Sequence, residues 1–200
     1  MAKGRQPRHK VSRRFGLDVY GTGGAALQRR LGTLPGGRPG GRRRRRSEYA
    51  RQLEEKQKAK AIYGMAEGQF RRYFAEAQRQ PGVVGHSLLQ LLERRLDNVV
   101  YRLGFARTRP MARQLVSHGH VRVDGRRVTI PSYRVQPGET ISLDQTAARM
   151  PTVVEELSAG RPVPPWLARE GTTGRVLRLP TREEIDTPVD EEQIVAFYSR

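Results

Sequence analysis

At Gly119 the hydrophobic period of the chain changes from that of a helix to that of a strand, and few folds accommodate such a switch. Before it, Leu88, Leu89, Leu91, Leu92, Leu96, Val99, Val100 and Leu103 recur at helical spacing up to Gly104. That run is long enough to predict a break near Glu93 to Arg95, and a domain boundary is placed there. Thr108 is a candidate N-cap with Pro110 in the first turn, and Met111, Ala112, Leu115 and Val116 form a second apolar stripe. Past Gly119, Val121 and Val123 alternate with His120 and Arg122, Asp124-Gly125 favours a type I′ turn, and Val128 and Ile130 alternate with Arg127 and Thr129. Val135, the Pro137-Gly138 turn, Ile141 and Leu143 supply further strand. The unit is two helices followed by a small antiparallel sheet, with arginine on the outer face of its hairpin.

On either side of this unit the pattern is mostly helical. Ser47 predicts an N-cap for a helix through about Tyr63, ended by Gly64. Ala66, Phe70, Tyr73, Phe74 and Ala77 fall on one stripe, which reads as core rather than as a platform for bases. A helix over residues 151 to 160 starts with Pro151, the prolines around Trp166 make a rigid connection, and Val176 with Leu177 to Leu179 suggests a strand. A last helix spans about Asp190 to Tyr198 with acids at its positive end. Residues 1–46 read as an extended arm, because apolar residues are sparse and Gly32 to Gly41 suit neither helix nor strand.

Charge limits the partners. The chain of 200 residues carries 38 Lys plus Arg against 20 Asp plus Glu. Residues 1–46 hold 14 of those cations and one acid, Asp18, whereas the last 18 residues hold six acids and one Arg. Of the cations 33 are Arg, which forks onto phosphate oxygens and stacks on bases, so nucleic acid is the leading partner and the arm is expected to order on it. An anionic membrane is the weaker reading, since no basic amphipathic helix with a bulky apolar face stands near the N-terminus. The acidic end should repel RNA and pack on protein or on the basic arm. With no cysteine there is no disulfide framework and no Cys-built metal site, so cytoplasm is the default compartment. The start lacks the apolar run of a signal peptide and no stretch reaches the roughly 18 apolar residues of a membrane span, which predicts a soluble protein.

Catalytic patterns fail one by one. Gly21-Thr22-Gly23-Gly24-Ala25-Ala26 fits a dinucleotide-binding string, but no apolar strand precedes it. There is no phosphate-binding loop and no His-Glu-x-x-His, and Gly85-His86-Ser87-Leu88-Leu89 lacks the second glycine of a nucleophile elbow. His118 and His120 supply two metal ligands at most. Arg95-Leu96-Asp97 matches three residues of the string that carries the catalytic Asp of pseudouridine synthases, yet Val100 and Arg102 stand where Thr and Gly would be. Neither an enzyme nor a cofactor is expected. An RNA-modifying enzyme and a non-ribosomal RNA-binding regulator or stress factor stay open as other classes.

Residues 94 to 143 resemble the αL RNA-binding module found in a ribosomal protein, tyrosyl-tRNA synthetases, pseudouridine synthases and a small heat-shock protein. Arg95-Leu96-Asp97-Asn98-Val99-Val100-Tyr101-Arg102 and Ala112-Arg113-Gln114-Leu115-Val116-Ser117-His118-Gly119 resemble, within that group, the family of bacterial small-subunit ribosomal protein four. The likeness extends to Ser47-Glu48-Tyr49, Gln52 to Lys58, Tyr63 to Tyr73, Ile130-Pro131-Ser132-Tyr133 and the ending Ile194 to Arg200, nearly the whole chain in order. Many members hold zinc in an N-terminal cysteine cluster that this chain lacks.

The resemblance implies an α+β protein: a mainly helical first domain (47–93 and 160–200) completed by the C-terminal helix, an inserted αL RNA-binding module (94–159), and the basic arm (1–46). It implies binding at a multi-helix junction in the 5′ domain of the small-subunit rRNA early in assembly. It further implies contact with ribosomal protein five linked to decoding accuracy, a place beside ribosomal protein three near the channel by which messenger RNA enters, and in some bacteria repression of the protein's own operon. No membrane and no obligate homo-oligomer are implied. Phosphate contacts are expected from Arg42, Arg43, Arg44, Arg45 and Arg46, from Lys56, Lys58 and Lys60, and from Arg71 and Arg72. On the αL module they are expected from Arg107, Arg109, Arg113, Ser117, His118, His120 and Arg122. About a third of these cations are expected to pair instead with Glu54, Glu67, Glu76 or Asp124.

Overall fold

The structure, a computed structural model, describes residues 7–21, 23–31, 33 and 47–199. The Arg42–Arg46 run, and the glycine-rich stretch before it apart from Thr33, lie outside the described residues. In chain order the elements are α1 (Arg8–Phe15), α2 (Ala25–Gln28), α3 (Glu48–Ile62), α4 (Glu67–Ala77), α5 (Val84–Glu93), α6 (Leu96–Arg102) and α7 (Arg109–Ser117). Then follow β1 (Val121–Val123), β2 (Arg126–Arg127), β3 (Thr140–Leu143), α8 (Gln145–Ala148), α9 (Pro151–Ser158), β4 (Leu167–Glu170), β5 (Thr173–Val176) and α10 (Glu191–Tyr198). No described helix is long and apolar enough to cross a membrane. The elements fall into two compact units, Met1–Met65 with Val189–Arg200, and Ala66–Pro188.

In the first unit Ser47 caps α3 by accepting from the Ala50 N–H at 3.2 Å. Helix α10 packs along α3, with the Tyr49 and Phe197 rings 5.7 Å apart and Ile194 fully buried. Its start is tied down twice: the Asp190 side chain accepts from the Gln193 N–H at 3.2 Å, and the Asp190 N–H donates to Glu55 at 3.0 Å. The acidic C-terminal segment thus lies on protein, with its carboxylates at the positive end of a helix. The extended reading of residues 1–46 does not hold for the described part, which contains α1 and α2. Few apolar residues suffice there because they are well placed: Val19 and Leu27 are buried, and Gly16, at φ 67°, closes α1 by donating to the Ser12 carbonyl.

The second unit is organised by the break between α5 and α6. Arg95 is extended (φ −66°, ψ 136°), and the chain beside it is stitched to the segment 131–135. The Leu96 N–H bonds to the Tyr133 carbonyl at 2.8 Å, Asp97 to Pro131 at 3.2 Å, and Val135 to Arg94 at 2.9 Å. Helices α6 and α7 then pack on one face of an antiparallel sheet with strand order β2-β1-β3-β5-β4. Leu96, Val99, Leu103, Val116, Val121, Ile141 and Trp166 meet in the core between them. Contact is closest at Gly174 on β5, where a Cβ would come within 2.5 Å of the Leu103 methyl carbons.

The hairpin turn is as the sequence predicts, since Asp124 (φ 47°) and Gly125 (φ 76°) are both left-handed. Its second arm is shorter than the alternation suggests. Strand β2 ends at Arg127, and Ile130 is 59% exposed, because the chain leaves the sheet to pair with the α5–α6 break. Strand β5 likewise stops at Val176, and Leu177 is exposed. Two boundaries also differ from those that the resemblance implies. Strands β4 and β5, within residues 160–188, pair into the sheet through β3, and α4 and α5 fall in the same unit as the sheet.

Candidate nucleic-acid interface

Many of the arginines near the α5–α6 break are already engaged. The Arg95 side chain is fully buried and grips Asp97 with two bonds, Nε to Oδ1 at 3.0 Å and Nη2 to Oδ2 at 2.7 Å. Burial opposes its charge, but Asp97 outweighs that effect and holds the guanidinium above its usual pKa. Beside it the buried Glu93 accepts from Arg102 Nε (2.8 Å) and Nη2 (3.0 Å) and from Asn98 Nδ2 (2.8 Å). Asn98 in turn accepts from Arg109 Nε at 2.8 Å, and Arg134 forks onto Glu76. Asp97, the residue that matches the synthase string, is therefore one half of a structural ion pair.

Against this background the predicted contact residues separate. Arg42 to Arg46 lie outside the described residues. Lys56 is buried, its ammonium 4.1 Å from the centre of the Phe197 ring and 5.5 Å from that of Tyr198, so it holds α10 to α3 and does not face solvent. Lys58 bonds Glu55 at 2.7 Å, and Lys60 reaches Gln57 at 3.5 Å. Arg71 and Arg72 are exposed on α4 opposite the buried Phe70, Tyr73 and Phe74.

On the second unit Arg107 is exposed at the entrance to α7, and its carbonyl accepts from Arg161. Thr108 caps α7 through the Met111 N–H. Arg109 stacks over Tyr101, 4.4 Å from the ring centre, while Arg161 lies 5.1 Å from the same ring. Arg113 touches Asp97 at 3.4 Å with its side chain still 40% exposed. Ser117 and His118 are exposed at the end of α7, and the Ser117 hydroxyl donates to the Arg113 carbonyl. His120 is half-buried against Asp144 at 3.2 Å; burial of Asp144 is outweighed by the Ala147 N–H and by His120, which keep that carboxyl below its usual pKa. Arg122 is exposed on β1. Arg107, Arg113, Ser117, His118 and Arg122 thus give the module a polar, cationic surface around the ends of α7 and the first strand. Two of the acids expected to neutralise such cations have other roles, since Glu76 holds Arg134 and Asp124 accepts from the Thr140 N–H at 2.8 Å.

The chain matches the model of the S4 domain over residues 94–141 and that of the Ribosomal protein S4/S9 N-terminal domain over residues 3–93. It is 49% identical over 203 residues, across the whole of both chains, to small ribosomal subunit protein uS4 of Geobacillus stearothermophilus. The chain belongs to the uS4 family. It is also 48% identical over 206 residues to the uS4 protein of Akkermansia muciniphila, again across both whole chains. Identity to the uS4 protein of Natranaerobius thermophilus is 55% over 163 residues, covering 80% of this chain and 78% of that protein. The two family models meet at Glu93 and Arg94, beside the extended residue between α5 and α6.

Sequence reasoning passed over several arginines of this uS4-family chain. Arg127 sits directly across the hairpin from Arg122, a pairing that the two-residue turn already dictates. Arg175 is exposed on β5 opposite Thr140, and only the long-range pairing of β3 with β5 places it there. The buried roles of Arg95 and Arg102 had a local signal, since each lies within the leucine and valine stripe. Among the described residues no group of three potential metal ligands comes together.

Proposed function

We propose that the chain is a non-catalytic rRNA-binding protein of the small ribosomal subunit in the cytoplasm, and that it nucleates subunit assembly at a helix junction in the 5′ domain of the small-subunit rRNA. The observation that carries this reading is the full-length match to small ribosomal subunit proteins at about half identity. The exposed cationic surface of the second unit supports it, because A-form RNA offers side chains phosphates and shape rather than readable base edges. Arg107, Arg113, Ser117, His118 and Arg122 contact phosphate from the αL module, joined by Arg71 and Arg72 on α4 and by Arg42 to Arg46. Lys58, Lys60, His120 and Arg109 also have protein partners, so each contributes to RNA only with the donors its partner leaves free. Further partners are ribosomal protein five, with an effect on decoding accuracy, and ribosomal protein three near the messenger channel, with self-repression as a secondary role. No membrane and no obligate homo-oligomer takes part.

The test is binding of the full chain to the refolded 5′ domain rRNA and to an unrelated structured RNA of equal length, titrated across salt. Log affinity should fall with log salt at roughly 0.7 to 0.9 per neutralised phosphate. Cognate RNA should keep its preference as salt rises. Equal binding and joint release of both RNAs would make the chain a general polyanion binder and refute the ribosomal reading.

A further inference from the structure

The outer face of the sheet combines features that the α7 surface does not. Burial alternates along β1 and β5, so Arg122 and Arg175 project away from the core. Register places Arg127 directly opposite Arg122 on one side and Ser142 opposite it on the other, with Thr140 opposite Arg175 and Thr173 opposite Ser142. The two arginines share one face of the strand pair, but their guanidiniums turn to opposite ends of the hairpin. Arg122 Nη1 donates to the Gly125 carbonyl at 3.1 Å and Arg127 Nη2 to the His118 carbonyl at 3.3 Å, and Arg122 also lies near enough to Asp144 to help hold that carboxyl below its usual pKa. Each guanidinium has five donors, so most stay available once these bonds are made.

Arg127 is also held in place. Its guanidinium lies over the backbone of Gly119, in the space that any side chain at 119 would take, and Gly119 has a φ of 79°. The acids nearest this face are at its margins, with Asp144 occupied by His120 and the Ala147 N–H, and Glu170 on the edge strand β4. What remains is a band of arginine and hydroxyl donors running from β2 to β5, about 14 Å at the usual strand spacing.

We propose that the phosphate-binding surface continues from Arg122 across this outer sheet face, on which Arg127 and Arg175, with Ser142, Thr140 and Thr173, hold the backbone of one RNA strand beside it. The proposal rests on the ribosomal reading for the identity of the RNA. An RNA strand suits the face because its phosphates are a line of acceptors that satisfies a line of donors.

The experiment uses the full chain with Arg122→Gln, Arg127→Gln and Arg175→Gln, singly and together, against the refolded 5′ domain rRNA across salt. The triple variant should lose about tenfold or more in affinity, and its log–log salt slope should fall by about two, at roughly 0.7 per phosphate contact. Melting temperature should stay within a few degrees of wild type, since all three side chains are exposed and outside the core, so weaker binding is not unfolding. A triple variant with the wild-type slope and affinity overturns the proposal. If wild type binds cognate and unrelated RNA alike, the ribosomal reading falls, and the slopes of the variants still decide whether the face holds phosphate.

Discussion

Replacing Asp97 by Ala tests the account of the α5–α6 break most directly. The carboxylate is the anion that faces the Arg95 guanidinium, which has no exposed surface and makes its other side-chain contact with the Tyr73 hydroxyl at 3.4 Å. An arginine keeps its proton at any ordinary pH, so Asp97→Ala leaves a buried charge that neither water nor deprotonation can relieve. Breaking a buried pair from one side costs about 3–5 kcal/mol. The 3.4 Å contact to the part-exposed Arg113 adds less than about 1 kcal/mol. For a chain of this size each kcal/mol shifts the melting temperature by about 2–4 °C, so a fall of roughly 6–20 °C is expected.

Thermal unfolding followed by far-ultraviolet circular dichroism at pH 7 reads this directly. Amide exchange at Leu96 and Asp97, whose N–H groups bond the 131–135 segment, should show the same opening locally. Arg95→Met combined with Asp97→Leu should recover most of the loss, because no charge is then left buried. A cost below about 1 kcal/mol for Asp97→Ala, or a double variant as unstable as the single one, would refute the reasoning.

Three further outcomes follow from individual contacts. Lys56→Gln should lower stability by about 0.5–2 kcal/mol through loss of the Phe197 and Tyr198 contacts, and leave the salt slope of rRNA binding unchanged; a slope reduced by about 0.7 would return Lys56 to the interface. Gly174→Ala should cost about 1–3 kcal/mol in a urea melt, because its methyl group meets Leu103 in a filled core, and a neutral effect would mean that α6 can retreat from β5. Glu184 is held down to a pKa of about 2, first by its bond from Arg178 and then by the Thr181 N–H. Since the folded value is depressed, the stability it contributes is present above the ordinary carboxylate range and is lost as pH falls from there towards 2. Glu184→Gln should flatten melting temperature against pH in that acid window, and an unchanged profile would remove the ion pair from the argument.

Local order was largely legible in the residues, and long-range pairing was not. Ser47, Thr108 and Pro151 mark helix starts that the structure keeps, and the Asp124-Gly125 turn fixes its own hairpin because the two left-handed residues leave few alternatives. The break near Arg95 is legible as an interruption of a stripe, but its cause is the remote segment 131–135, which also shortens β2. Periodicity alone gives no distance between segments that far apart. The pairing of residues 160–188 is hidden for the same reason, since β5 pairs with β3 across some thirty residues of intervening chain. In residues 1–46 a low apolar content suggests extension, yet a short helix needs only one or two anchors such as Val19 and Leu27 beside it.

The candidate site exposes a sharper limit, because a sequence counts cations but not the carboxylates that reach them. Arg102 and Glu93 are nine residues apart and Arg134 and Glu76 are 58 apart, yet both pairs are closed within the second unit. Arg102 is buried by its pair, and Arg134, although 36% exposed, is committed to Glu76. On the sheet Arg122 and Arg127 stand opposite each other with carbonyl oxygens as their hydrogen-bond partners, and the nearest acids, Asp144 and Glu170, lie at the margins of that face. With carbonyls and not carboxylates as their hydrogen-bond partners, Arg122 and Arg127 keep charge that an RNA backbone would neutralise and salt would screen, so the proposed interface predicts its own dependence on salt.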